Sequence, residues 1–169
     1  MIISKDIEID MGHAVTDHCS KCKHLHGHRY LIRALVEDKV IAEKGSSTYG
    51  MVIDFSDLKK AMMDVIDAKF DHAFALWKGD PRIGLLQEAH DLWHNDYDRF
   101  HSLHFVPTAE NLACHWFQLL HKELRNKYNI KLVELHVYET PTSMVRCNQD
   151  DVDEFIRRLY EDDDDEENE

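Results

Sequence analysis

The sequence predicts an α+β fold: a four-stranded antiparallel sheet carrying two helices on one face, in the order β-β-α-α-β-β. Three observations lead there. Residues 2–10 (IISKDIEID) and 28–38 (HRYLIRALVED) alternate apolar and polar side chains, the period of half-buried strands. Segments 54–72 and 107–129 carry the longer period of amphipathic helices. Two further strand-like runs, 132–140 and 142–148, complete the pattern.

After the first strand comes a loop rich in histidine and cysteine. In the second strand Tyr30, Ile32, Ala34 and Val36 share a face, with His28 on the same parity. The first helix can be capped by Asp54 or Ser56, and Leu58, Met62, Val65, Ile66 and Phe70 form its apolar stripe. Residues 77–105 exceed an ordinary connection and read as an insertion between the helices, with residues 83–95 able to be helical. Thr108 caps the second helix, and Glu110 in its first turn complements the helix dipole. DVDEFIRRLYE forms a short C-terminal helix. The chain is thus expected to be one domain over residues 1–160, followed by a disordered acidic tail at 161–169.

Composition narrows the function. The formal charge is −13, but EDDDDEENE at the end holds eight carboxylates, and setting those aside leaves −5. Such a chain is not expected to bind nucleic acid, whose phosphates require a basic surface. There is no run of 18 apolar residues and no apolar segment at the start, so neither a membrane span nor a signal peptide is expected. Cysteines at 19, 22, 114 and 147 suggest no disulfide framework, and a cytoplasmic setting is expected. The outlier is histidine: thirteen of them, clustered, which puts a metal site first.

The densest cluster is CSKCKHLHGHRY at 19–30. His26 and His28 stand two apart, so an extended chain puts both on one face, with Gly27 leaving room between them. His13, at the same end of the hairpin, is the natural third partner. Three histidines with an open fourth position are the arrangement of a catalytic zinc. A second reading is a closed structural site of Cys19, Cys22, His26 and His28. Lys21 and Lys23 beside Cys22 favour a thiolate, which suits a cysteine that moves protons. Asp71-His72 ends the first helix, an acid placed to orient an imidazole. Glu139 ends a strand, where a carboxylate can accept two hydrogen bonds from a guanidine-like edge such as that of a pterin or guanine. His90 and His94, one helical turn apart, could hold a second metal, although an ordinary packing or solvent role suits them better.

Taken in order, His13, C-x3-H-G-H at 22–28, GMVIDFSDLK at 50–59, FDH at 70–72, PTAENLA at 107–113 and YET at 138–140 resemble one family. It is the 6-pyruvoyl-tetrahydropterin synthase / 6-carboxytetrahydropterin synthase family, of the tunnelling fold. The resemblance runs from about residue 5 to 147 and omits 77–105. The short C-x3-H-G-H and the D-F pair are similar to the carboxytetrahydropterin synthases of queuosine and 7-deazaguanine synthesis. These convert 7,8-dihydroneopterin triphosphate to 6-carboxytetrahydropterin, releasing acetaldehyde and triphosphate. The alternatives are a 6-pyruvoyl-tetrahydropterin synthase on the same small-molecule substrate and a non-catalytic, zinc-stabilised binding module.

The resemblance implies that His13, His26 and His28 hold Zn²⁺ and that Cys22 accepts a proton. It further implies that Asp71 and His72 form a relay, and that Glu139, with Thr140 and Thr108, binds the pterin. It also implies a homo-oligomer, a trimer or hexamer closing into a barrel, with sites at subunit interfaces. Three departures bear on selectivity: I-D-M-G-H precedes His13 where the family has F-x-A-x-H, F-D-H replaces L-D-H, and the L-N that follows is absent.

Overall fold

A computed structural model of the 169-residue chain describes residues 1–92 and 99–166, with residues 161–166 described by backbone alone. Strands β1 (Ile2–His13) and β2 (His26–Glu37) pair antiparallel along their whole length, from Ile2 opposite Glu37 to His13 opposite His26. β2 also pairs with a later strand (Lys131–Thr140), which pairs in turn with the last (Ser143–Cys147), both antiparallel. The expected four-stranded antiparallel core is therefore present.

The sheet is wider than expected. Two four-residue strands, β3 (Phe74–Trp77) and β4 (Phe100–Leu103), add to the open side of β1 in parallel. With the two later strands numbered β5 and β6, the six run in the order β4-β3-β1-β2-β5-β6. Neither added strand alternates clearly in sequence; β3 exists through pairing with the end of β1 and β4 through pairing with β3, a tertiary effect that local pattern does not encode. Both ends of the segment read as an insertion, Trp77 and Phe100–Leu103, are thus built into the sheet. Gly12 makes this docking feasible, because a Cβ there would meet the Phe74 ring at 2.4 Å.

Helix α1 (Phe55–Met62) starts where the side chain of Asp54 accepts the Ser56 amide. It continues through a π-helical stretch (Met63–Asp67) into the short α2 (Ala68–Phe70). α3 (Ile83–Asp91) lies between β3 and β4, within the stretch 83–95 read as able to be helical; residues 93–98, including His94, lie outside the described residues. α4 (Ala109–Tyr128) is capped by Thr108 as expected, and closes on Asn129 in the left-handed region at φ 53°. α5 (Gln149–Glu166) is longer than the predicted C-terminal helix. Val152 and Phe155 anchor it in the core.

The apolar faces of α1 and α4 meet one face of the sheet. Leu58, Met62, Ile66, Trp116, Phe117 and Leu120 pack there on Ile9, Tyr30, Ile32 and Val137. The opposite face is polar, and bidentate pairs Arg33–Asp6 and Arg29–Asp10 bridge β1 and β2 at 2.8–2.9 Å. Among the described residues, no helix is long and apolar enough to cross a membrane.

One core histidine should make the fold acid-sensitive. His115 packs against Phe70 and Phe105, and burial, helped by nearby His101, pushes its pKa down to about 4. In the unfolded chain it titrates near 6.5, so as pH falls the unfolded state takes up the proton first. The stabilisation is complete above about pH 6.5 and is lost toward pH 4, by up to roughly 3 kcal/mol. The urea midpoint of the wild type should drop more steeply across that window than that of His115→Gln; parallel curves would contradict this.

Candidate functional site

The hairpin register builds the centre of the site. His13 sits directly opposite His26, Gly12 opposite Gly27, and Met11 opposite His28. Because strand side chains alternate, all three histidines leave the sheet on the same side as the core. Their ring centroids are 4.5 to 5.2 Å apart, and one ligand atom from each lies within 4.8 Å of the others. Nδ1 of His13 is 2.7 Å from the Pro107 carbonyl, and Nδ1 of His26 is 2.7 Å from the His24 carbonyl. A carbonyl only accepts, so each Nδ1 carries a proton, which leaves Nε2 as the nitrogen placed to meet a metal. Burial, partly offset by the Pro107 bond, lowers the pKa of His13 and favours the neutral ring. The three imidazoles could hold a metal ion.

Motif P-T-A-E-N supports this arrangement. Thr108 Oγ1 accepts the Asn111 amide, and the Asn111 side chain donates to the Val106 carbonyl at 2.9 Å. The turn is thereby fixed, and the Pro107 carbonyl is left to His13. A further contributor is Tyr30, which is fully buried. Its hydroxyl is 3.4 Å from both His13 Nε2 and Glu139 Oε1. Burial and the neighbouring Glu139 carboxylate raise the pKa of this phenol. Glu139 Oε1 lies 3.6 Å from His13 Nε2 and 3.9 Å from His28 Nε2, so the carboxylate faces the histidine cluster.

Cys22 stands on a single 3-10 turn, Lys21–Lys23, in the loop between β1 and β2. It is half-buried and lines a cavity of roughly 250 Å³ with His13, His18, Thr108, Glu110 and Glu139. Cys19 is exposed. Among the described residues, the one group of three potential ligands drawn together is His13, His26 and His28, so the alternative four-ligand knot with Cys19 and Cys22 does not form. Glu139 also borders a larger cleft of about 650 Å³, with His28, Arg29, Arg33, Tyr138 and Thr140. Thr140 thus lies on the cleft side of Glu139, and Thr108 on the Cys22 side.

Asp71 and His72 are paired, but away from Cys22. His72 Nδ1 is 2.7 Å from Asp71 Oδ2, and Asp71 Oδ1 accepts the Asp10 amide. Burial works against the Asp71 charge, yet these two bonds hold its carboxyl below the usual range. His72 sits in the left-handed region at φ 56°, and its own amide donates to the Asp10 carbonyl. Its side chain is 76% exposed and borders an open groove with Asp10, Gly27 and Arg29. The groove that His72 borders and the cavity that Cys22 lines are separate.

Sequence reasoning missed Tyr30, whose parity marked it as core, and the supporting roles of Pro107 and Asn111. Glu110, read as a dipole partner, also lines the Cys22 cavity. The available signal was Asn111, three residues after the cap in the first turn of the helix.

Fold and site together define a class: a protein of the tunnelling fold whose histidine cluster is able to hold a metal ion. Within it the chain belongs to the 6-pyruvoyl tetrahydropterin synthase family, whose family model matches residues 2–150. A protein of Rickettsia bellii named 6-carboxy-5,6,7,8-tetrahydropterin synthase is 33% identical over 142 residues, covering 84% of this chain and 96% of that protein. The protein of that name from Haemophilus influenzae is 31% identical over 145 residues, covering 83% and 94%. Among solved structures, an uncharacterised protein of Wolinella succinogenes superposes with a TM-score of 0.71 at 24% identity, over 88% of this chain and 98% of that one. The 6-pyruvoyl tetrahydropterin synthase of Caenorhabditis elegans does so with a TM-score of 0.58 at 21% identity, over 88% and 94%.

Proposed function

We propose that this chain is a zinc-dependent 6-carboxy-5,6,7,8-tetrahydropterin synthase. It converts 7,8-dihydroneopterin triphosphate to 6-carboxytetrahydropterin with release of acetaldehyde and triphosphate, on the route to 7-deazaguanine bases such as queuosine. The observation that carries this is the convergence of His13, His26 and His28 beside a cavity that Cys22 and Glu139 both line. The relatives' shared name supports the choice of product.

Three imidazoles, two of them with Nδ1 already bound to a carbonyl, suit Zn²⁺ with a fourth position left for an oxygen. When bound there, zinc supplies a Lewis acid for the hydroxyls of the substrate side chain. Cys22 takes the proton from the neighbouring C–H bond. Glu139 holds the guanidine-like edge of the pterin, with Thr140 and Thr108 on its two sides. Asp71 orients His72, which returns a proton to the substrate bound at a neighbouring subunit.

That last role requires a homo-oligomer, a trimer or hexamer. The exposed His72 and the outer strands β4 and β6 of the sheet support it, since open edges call for cover. Complementation tests it directly. Cys22→Ala and His72→Ala chains, each inactive alone, should regain turnover when unfolded together and co-refolded, because some mixed sites carry both intact residues. If no activity returns, the relay acts within one chain or not at all.

The runner-up is a 6-pyruvoyl-tetrahydropterin synthase on the same substrate, which the family's name favours. The product decides. Incubation of the purified, zinc-loaded protein with 7,8-dihydroneopterin triphosphate should release acetaldehyde and 6-carboxytetrahydropterin; a pyruvoyl product without acetaldehyde would give the runner-up.

A further inference from the structure

The loop of residues 14–25 that carries Cys22 has little of its own to hold it. Its 3-10 turn buries no residue and has no side-chain cap. Inside the loop the Val15 amide donates to the Cys22 carbonyl at 2.8 Å, which ties the two legs together near the thiol. Two restraints from outside the loop come from the segment between β3 and α3.

Asp80 there is 1% exposed, one of only two polar residues buried to that degree among the described residues; the other is His13. Its carboxylate accepts Thr16 Oγ1 at 2.6 Å, from the outgoing leg of the loop. It also accepts the Arg82 amide and Nε at 2.8 Å, and Arg82 Nη2 at 2.6 Å. Arg82 Nη1 then donates to the carbonyl of Lys23, on the returning leg and next to Cys22, at 2.7 Å. One carboxylate–guanidinium unit therefore grips both legs of the loop. Arg82 holds the fork geometry that lets one side chain bind a carboxylate and a carbonyl together. A separate anchor lies alongside: Ala14, the first loop residue, is buried with Leu76 and Phe100 in a small core of the same segment.

A carboxylate this buried, with all its partners supplied by one loop and one neighbouring turn, is more than surface decoration. Its placement accounts for what the long segment between the helices contributes to the site. We propose that Asp80 and Arg82 are positioning residues that set the Cys22 thiol over the substrate by clamping Thr16 and Lys23. This rests on the catalytic role given to Cys22 above.

The test compares full-length, zinc-loaded wild type with Arg82→Ala, Arg82→Lys and Thr16→Val. Thr16→Val removes one grip on the loop and leaves the Asp80–Arg82 pair intact, so it should fold even if Arg82→Ala does not. Arg82→Ala should lower kcat by roughly ten- to a hundredfold with KM little changed, the signature of a displaced reacting group. Thr16→Val should lower kcat by about threefold to fivefold, on the scale of one hydrogen bond, and Arg82→Lys should recover part of the loss. Zinc per chain should stay at the wild-type level in all three.

Thiol labelling supplies a readout independent of turnover. In a Cys19→Ser background, iodoacetamide should modify Cys22 several times faster in Arg82→Ala and Thr16→Val than in the parent, read by peptide mass spectrometry. A wild type without synthase activity would overturn the functional reading, while labelling would still judge the clamp. Wild-type labelling rates and kcat in the folded variants would overturn the clamp. So would loss of zinc in Thr16→Val, which would make the contact a support of the fold.

Discussion

His26→Ala is expected to lose the bound metal and all measurable turnover, whereas Cys22→Ala keeps its zinc and its fold and loses only turnover. The two residues lie four apart in one loop and strand, yet the geometry gives them separate work. His26 has its Nδ1 committed to the His24 carbonyl and its ring 4.5 Å from that of His13, so removing it takes away one of three candidate ligands. Cys22 lines the cavity but stands outside the ligand group. Loss of a positioned proton acceptor lowers kcat by roughly 10²- to 10⁴-fold. Metal analysis by mass spectrometry, far-ultraviolet circular dichroism and kcat, measured on both variants, separate the roles. If Cys22→Ala sheds its zinc, the proton-transfer role is wrong and a structural thiolate ligand replaces it.

The second large effect is on stability. Trp116→Ala should destabilise the protein by about 3–5 kcal/mol, because it empties the largest fully buried side chain of the core. The indole stands edge-on to both Tyr30 and Phe70, each with ring centroids 5.6 Å away. It is the floor under the tyrosine whose hydroxyl lies between His13 and Glu139. The indole nitrogen is buried with no hydrogen-bond partner among the described residues, a burden of roughly 1–3 kcal/mol for such a group. Trp116→Phe removes that unpaired donor and keeps most of the ring. It should therefore stay within about 1.5 kcal/mol of the wild type. Thermal unfolding checks both, at roughly 2–4 °C per kcal/mol for a chain of this size. A phenylalanine variant as unstable as the alanine one would show that the nitrogen has a partner in solution.

Much of the architecture could be read from the residues because local pattern and tertiary role coincide. The alternation of 2–10 and 28–38 is the alternation of core and solvent faces, and Asp54 and Thr108 cap the two main helices as their chemistry suggests. β3 and β4 escaped notice because four residues are too few to show a period, and only pairing makes them strands, β3 with the end of β1 and β4 with β3. The candidate site divides in the same way. His26 and His28 announce themselves by spacing, and His13 by its place at the hairpin's end. Tyr30 could not be separated from the apolar row in which it sits, since only the approach of Glu139 from β5 gives its hydroxyl a purpose. Asp80 and Arg82, inside the stretch read as an insertion, carry no local sign of their role, because the loop they hold is more than fifty residues upstream. The distance between Cys22 and His72 was invisible for another reason: within the proposed function it belongs to the assembly rather than to the chain.

The pairing of β1 with β2 has one more consequence. A slip of a single residue along this ladder would face His13 with Gly27, and would carry His26 and His28 to the opposite side of the sheet from His13. The three imidazoles meet in the native alignment and are scattered in its nearest competitors. An ion that needs all three would therefore proofread the hairpin, binding the correctly aligned chain and drawing misaligned ones toward it by mass action. Metal supply during folding, and not only during turnover, would then govern how much correctly paired protein a preparation contains.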